Sequence, residues 1–299
     1  MTYFIDLRAD SVGGNPVAGM DAVVVRTETQ QNPNPASPLG PELVRSIQGR
    51  DVLLGTHGFH VNRGDGIGNL AHWAKWVQFG PNGLFIGVLW PGDSGWIPFL
   101  DYPVEGNEAI KSGQLLAAYL GANFGGAASI SLASHSLGAR MALETVRRLP
   151  TSFRVKALML MAAAIDDNCL TGEYRDAAAR VDTISVLASQ CDEVLKWAFP
   201  LGNPLSGIIT RGDPYWHAAL GRTGPTPPDQ PANLSKTPIL PNSWEFGHSS
   251  YINYGAAGSA EAGPFPQPTV VQPEGSPKPS SALNWQPAWA AGFVSTRLA

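Results

Sequence analysis

Ser136 stands in the run Ser134-His135-Ser136-Leu137-Gly138. A strand-like stretch over 128–133 precedes it, and a helix-like stretch over 139–148 follows. A serine on a tight turn between strand and helix is held out of the sheet with its hydroxyl exposed. The helix that begins there aims free backbone N–H groups at an incoming carbonyl oxygen. The chemistry this suggests is nucleophilic attack by Ser136 on a carbonyl carbon. The usual pattern is Gly-x-Ser-x-Gly; here Ser134 occupies the first glycine position, still a small residue suited to a crowded turn.

A hydroxyl is a poor nucleophile until a base takes its proton, and that base needs an acid to orient it. In hydrolases with this strand–turn–helix element the partners follow in the chain order serine, acid, histidine. Asp192 lies just beyond the strand-like run 181–189, in Ser189-Gln190-Cys191-Asp192-Glu193, and is the candidate acid. Asp166, at the end of the preceding strand, is the alternative, and Asp192 could also simply cap a helix. His248, in Phe246-Gly247-His248-Ser249-Ser250, is the candidate base. His217 competes because it too follows Asp192; His72 reads as a surface or packing residue on a helix. A His-Gly loop, Thr56-His57-Gly58-Phe59, follows the strand-like run 51–55. With the elbow it would offer the backbone N–H groups of Phe59 and Leu137 as an oxyanion hole, with His57 bracing the loop. An ordinary turn that uses Gly58 for its backbone freedom is the plainer reading.

The elements that must position these residues alternate through the first two thirds of the chain. Residues 22–26, 51–55, 84–90, 129–133, 155–165 and 181–189 read as strands, and 68–79, 105–120, 139–148 and 172–180 as helices. Continuous apolar strands between amphipathic helices indicate a parallel sheet covered on both faces. Ligands bind such sheets at the carboxyl ends of the strands, where the candidate residues fall. Residues 200–241 hold nine prolines and little periodicity, suggesting a cap or long loop insertion over 200–243. Residues 1–255 would then form one domain and 256–299 a Pro/Gly-rich extension. Trp90, Trp96 and Phe99 after the central strand, and Trp216 within the cap, could line a substrate pocket.

Composition narrows the field. The 299 residues carry a formal net charge of −4, giving no reason to expect a nucleic-acid partner. Two cysteines, Cys169 and Cys191, cannot build a disulfide scaffold and suit a reducing compartment. The first ten residues include Asp6, Arg8 and Asp10 where a secretory signal would need an apolar run, and no apolar run is long enough to span a bilayer. A soluble, cytoplasmic protein is expected. Gly64-Asp65-Gly66-Ile67-Gly68 lacks the last glycine of a dinucleotide fingerprint, with Asn69 in its place, and reads as a flexible rim of the site. The two Arg-Gly-Asp runs, at 63–65 and 211–213, read as turns.

Taken in order, the His-Gly-Phe loop, the elbow, Asp192 and His248 resemble the α/β-hydrolase superfamily of serine hydrolases over about residues 51–251. Leu89-Trp90-Pro91-Gly92 and His135-Ser136-Leu137-Gly138-Ala139-Arg140 resemble its poorly characterised esterase and lipase-like branches. That resemblance implies an α/β fold with an eight-stranded, mostly parallel sheet and helices on both faces. It also implies cleavage of a small-molecule carboxylic ester through an acyl-serine, with no metal or organic cofactor. An amidase or acyltransferase would use the same triad, and a hydrolase fold retained as a binding module is the remaining alternative.

Overall fold

Seven strands carry the architecture: β1 (Tyr3–Asp6), β2 (Val24–Thr27), β3 (Asp51–Thr56), β4 (Gly83–Leu89), β5 (Ser129–His135), β6 (Val155–Met161) and β7 (Val181–Leu187). The computed structural model describes residues 1–29, 39–76, 81–93, 102–197, 199, 217–226, 230–234, 239–240, 242 and 245–251. Trp96, Phe99, Trp216, most of the expected cap and all of the 256–299 extension lie outside the described residues. The strands form one sheet in the order β2-β1-β4-β3-β5-β6-β7. β1 pairs antiparallel with β2, and every other pair is parallel.

Alternation along the strands sends side chains to two apolar layers. Ile5, Val52, Leu54, Val88, Leu132, Leu158 and Val186 pack with α1 (Gly40–Ser46), α3 (Tyr102–Asn123), α4 (Gly138–Arg148) and α5 (Arg175–Ala178). Phe4, Leu53, Phe85, Ala133, Met159 and Leu187 pack on the other face with α2 (Arg63–Trp76). Leu195 and Phe199, from the short helical stretch α6 (described at 193–197 and 199), join that second face with Phe246 and Tyr251. Residues from both sides of the candidate base are thereby built into the core. A last short helix, α7 (Leu220–Thr223), packs beside β7.

Three features differ from the sequence-based expectation. The N-terminus forms a buried strand in spite of its charges, because Asp6 accepts from Arg26 Nε at 2.5 Å and Arg63 Nε at 2.8 Å. The glycine-rich run 64–68 is not a flexible rim but the first turns of α2, begun by an Asn62 side chain that accepts the Asp65 N–H at 3.0 Å. Gly66 is needed there for closeness: a Cβ would fall 2.9 Å from Leu89 and 3.2 Å from His57. The sheet of the described residues has seven strands where eight are expected, and beyond β7 they add two single parallel bridges, Ile184 with Leu234 and Ala188 with Ile239. Pro231, Pro238 and Pro241 in this part of the sequence have no backbone N–H to give to a ladder.

The Asp6 carboxylate thus ties β1, β2 and α2 together from a site that is 1% exposed. Asp6→Ala leaves two buried guanidinium groups without their carboxylate and should cost about 3–5 kcal/mol. Urea unfolding of this variant beside the parent measures the cost; a loss below about 1 kcal/mol would show that the pairing is dispensable.

Candidate active site

β5 runs straight into the turn, and the chain reverses at Ser136 with φ 53°, a left-handed conformation that costs a non-glycine residue roughly 1–3 kcal/mol. Neighbouring backbone holds it there. The Ser136 N–H donates to the Met161 carbonyl at 3.0 Å, and its own carbonyl accepts from Ala139 at 3.0 Å and Ala164 at 3.2 Å. Helix α4 begins two residues later at Gly138, where a Cβ would lie 2.4 Å from the His57 carbonyl oxygen. Only glycine lets the helix start this close to the loop after β3. Ser136 is 4% exposed.

The acid and base come from chain segments far away. His248 opens a one-turn 3-10 helix whose preceding Gly247 N–H donates to Ser250 Oγ at 3.1 Å. The Ser189 hydroxyl beyond β7 donates to the Phe246 carbonyl at 2.7 Å, fastening this segment to the sheet. The ring of His248 bridges the other two groups, with Nδ1 2.8 Å from Asp192 Oδ2 and Nε2 2.8 Å from Ser136 Oγ. An ionised carboxylate accepts only, so Nδ1 carries the proton and Nε2 is free to accept from the serine. Asp192 is fully buried; its second oxygen accepts the Leu195 N–H at 2.9 Å. One aspartate therefore both caps α6 and orients the imidazole. His248 retains 15% side-chain exposure, so one edge of its ring meets solvent.

Two further histidines enclose this trio. His57 Nδ1–H donates to the Gly58 carbonyl at 2.9 Å, and its Nε2 accepts the Trp90 N–H at 3.3 Å. The Trp90 indole donates to the His57 carbonyl at 3.0 Å, and the two rings stack 5.7 Å apart. Trp90 is fully buried and braces the His-Gly loop from behind. Gly58 lies against the elbow: a Cβ on it would fall 2.8 Å from both His135 Nδ1 and Ser136 Cβ. Its φ is not positive, so the requirement is for space and not for backbone freedom. Neither the Phe59 nor the Leu137 N–H has an acceptor among the described residues. His135, inside the elbow, donates from Nε2 to the His248 carbonyl at 2.8 Å. That contact spans 113 residues of sequence, so no local pattern announced it.

The alternative residues are placed elsewhere. His217 Nδ1 donates to Asp167 Oδ1 at 2.9 Å, and its Nε2 accepts from Asn168 at 3.1 Å. Asp166 forms an isolated bridge with Ala219. His72 sits half-buried on α2. Cys169 and Cys191 are free thiols, the former buried with its ionisation pushed well up by desolvation. Among the described residues, no group of three or more His, Cys, Asp or Glu side chains could hold a metal ion. No helix of the described residues is long and apolar enough to cross a membrane.

Burial, then for His135 the neighbouring His248 and for His57 the Arg8 charge, holds both enclosed imidazoles down at a pKa of about 3. The unfolded chain takes up these protons near pH 6.5 while the folded one does not. Their contribution is fully present above pH 6.5 and is lost as pH falls toward 3. Between pH 6.5 and 4.5 unfolding free energy should therefore decline with a slope approaching about 1.4 kcal/mol per pH unit for each ring. Denaturant titrations across this range test it, and His135→Gln should lower the slope by one histidine's share; an unchanged slope would show that ring to be protonated in the fold.

The arrangement can be set beside known proteins. Esterase PE8 is 18% identical, over 69% of this chain and 87% of that one, with a TM-score of 0.39. An inhibited esterase B from Lactobacillus rhamnosis is 12% identical, over 70% and 72%, with a TM-score of 0.37. The propionate-bound esterase Est2 of Thermogutta terrifontis is 10% identical, over 80% and 88%, with a TM-score of 0.37. No curated protein matches the chain. The family described as alpha/beta hydrolase of unknown function (DUF900) matches residues 40–213, more than half of the sequence, and spans Ser136 and Asp192. The chain is a member of this α/β-hydrolase family.

Proposed function

We propose that this hydrolase cleaves carboxylic esters through an acyl-serine intermediate, with Ser136 as nucleophile, His248 as base and Asp192 as orienting acid. The observation that carries the reading is the pair of 2.8 Å hydrogen bonds that link Asp192, His248 and Ser136 in one line. With the ester carbonyl over Ser136, His248 Nε2 takes the hydroxyl proton as Oγ bonds to the carbonyl carbon. The negative charge that develops on the carbonyl oxygen is met by the N–H groups of Phe59 and Leu137. Collapse expels the alcohol, which takes the proton from His248. Water then repeats the sequence in reverse, with His248 as its base, and releases the acid. Asp192 keeps the proton on Nδ1 and stabilises the imidazolium formed at each attack. The free thiols of Cys169 and Cys191 fit a reducing compartment such as the cytoplasm.

Kinetics on a panel of p-nitrophenyl esters of graded acyl length test the assignment. Ser136→Ala should lower kcat by about 10⁴-fold or more with little change in melting, and adding His248→Ala should cost almost nothing further, because the groups act as a unit. Asp192→Asn should lose about 10⁴-fold through the wrong tautomer. Ser134→Ala, whose parent hydroxyl is buried against the Met159 carbonyl, should keep substantial activity. If His217→Ala or Asp166→Asn proves the crippling change instead, the base or the acid has been misassigned.

A further inference from the structure

Arg8 lies outside the segment matched by the family and takes part in none of the proposed bond-making steps. Its side chain is nonetheless fully buried, and each of its five N–H donors is used. Nη1 donates to the Val61 carbonyl at 3.1 Å and to the Trp90 carbonyl at 2.8 Å. Nη2 donates to the Ser11 carbonyl at 3.2 Å and to the Asp93 carboxylate, and Nε to the Asp10 carbonyl at 3.2 Å. The guanidinium thus joins two loops: the one after β3, which carries Phe59, and the one after β4, which carries Trp90 and Asp93. The loops also touch directly, through His60 N–H to the Gly92 carbonyl at 2.5 Å and a Val61–Gly92 bridge.

We infer that Arg8 is a positioning residue for the oxyanion loop: it locks the 57–61 backbone onto the 90–93 backbone and so fixes the Phe59 N–H before substrate arrives. The inference rests on the ester-hydrolase reading above. His60, next to Phe59, is held at φ 61°, a conformation that persists only where its surroundings over-determine it. An oxyanion donor helps only if it needs no reorganisation at the moment of reaction. A planar fork supplies donors at fixed angles to several carbonyls at once, which an ammonium on a flexible stem does not. Arg8 touches no reacting atom and acts entirely through the loop.

The test compares the parent with Arg8→Lys and with Asp93→Asn, a milder change that keeps an acceptor for the guanidinium. Hydrolysis of p-nitrophenyl acetate and inhibition by phenylboronic acid, whose tetrahedral adduct places an oxygen in the oxyanion position, are measured for each. Arg8→Lys should lower kcat by about 10- to 100-fold, below the loss typical of deleting an oxyanion donor outright. KM should stay within about twofold, and boronate inhibition should weaken in proportion to kcat/KM. Asp93→Asn should move all three quantities the same way by a smaller factor, and it decides the matter if Arg8→Lys does not fold. Unchanged kcat in a folded variant, or a kcat loss with undiminished boronate inhibition, overturns the proposal while leaving the triad in place. Parent protein that hydrolyses no ester and binds no boronate removes the reading beneath it, and the proposal with it.

Discussion

The reversal from β5 into α4 is made by one residue, and the site is organised around the close quarters this creates. Ser136 at φ 53° needs the backbone of β6 on one side and the loop after β3 on the other to stay where it is. Among the described residues, the other non-glycine positions with positive φ are His60, Ala162 and Glu245. They lie on the His-Gly loop, at the end of β6 and just ahead of the His248 turn. Backbone strain is thus collected on the segments that converge on the serine, while the strands beneath carry the stabilising burial. That division is expected where a rigid core holds a site in a geometry the local chain would not adopt alone.

Burial also sorts the histidines by task. His57 and His135 are enclosed, kept neutral by desolvation, and each makes a hydrogen bond to backbone that a charged ring would not improve. His248 sits between a buried carboxylate and the serine with one edge toward solvent. The enclosed rings act as spacers with directional hydrogen bonds, and the third is held in line between the carboxylate and the serine hydroxyl.

Much of this was legible in the residues. The central strands β3 to β7 begin within a residue or two of their apolar runs, because a sheet covered on both faces demands continuous burial. The strand–turn–helix setting of Ser136, and the order in which Asp192 and His248 follow it, are local patterns or chain-order patterns. What stayed hidden depends on distant partners. β1 was obscured by Asp6, whose charge is cancelled by arginines at positions 26 and 63. The start of α2 was obscured by its glycines, of which Gly66 serves the close approach of Leu89 and His57. His135 and Arg8 reach across 113 and 82 residues to the His248 and Trp90 carbonyls, and backbone acceptors leave no trace in side-chain identity.

If Ser136 is a nucleophile activated by His248, as proposed, its hydroxyl should react with an electrophile in a way that depends on the imidazole. Reaction of the intact protein with a fluorophosphonate, followed by peptide mass mapping, addresses it most directly. One phosphonyl group per chain is expected, carried on Ser136, with labelling slowed by orders of magnitude in His248→Ala and absent at that position in Ser136→Ala. Folded protein that takes up no phosphonate, or that carries it on another residue while Ser136 stays unmodified, would contradict it.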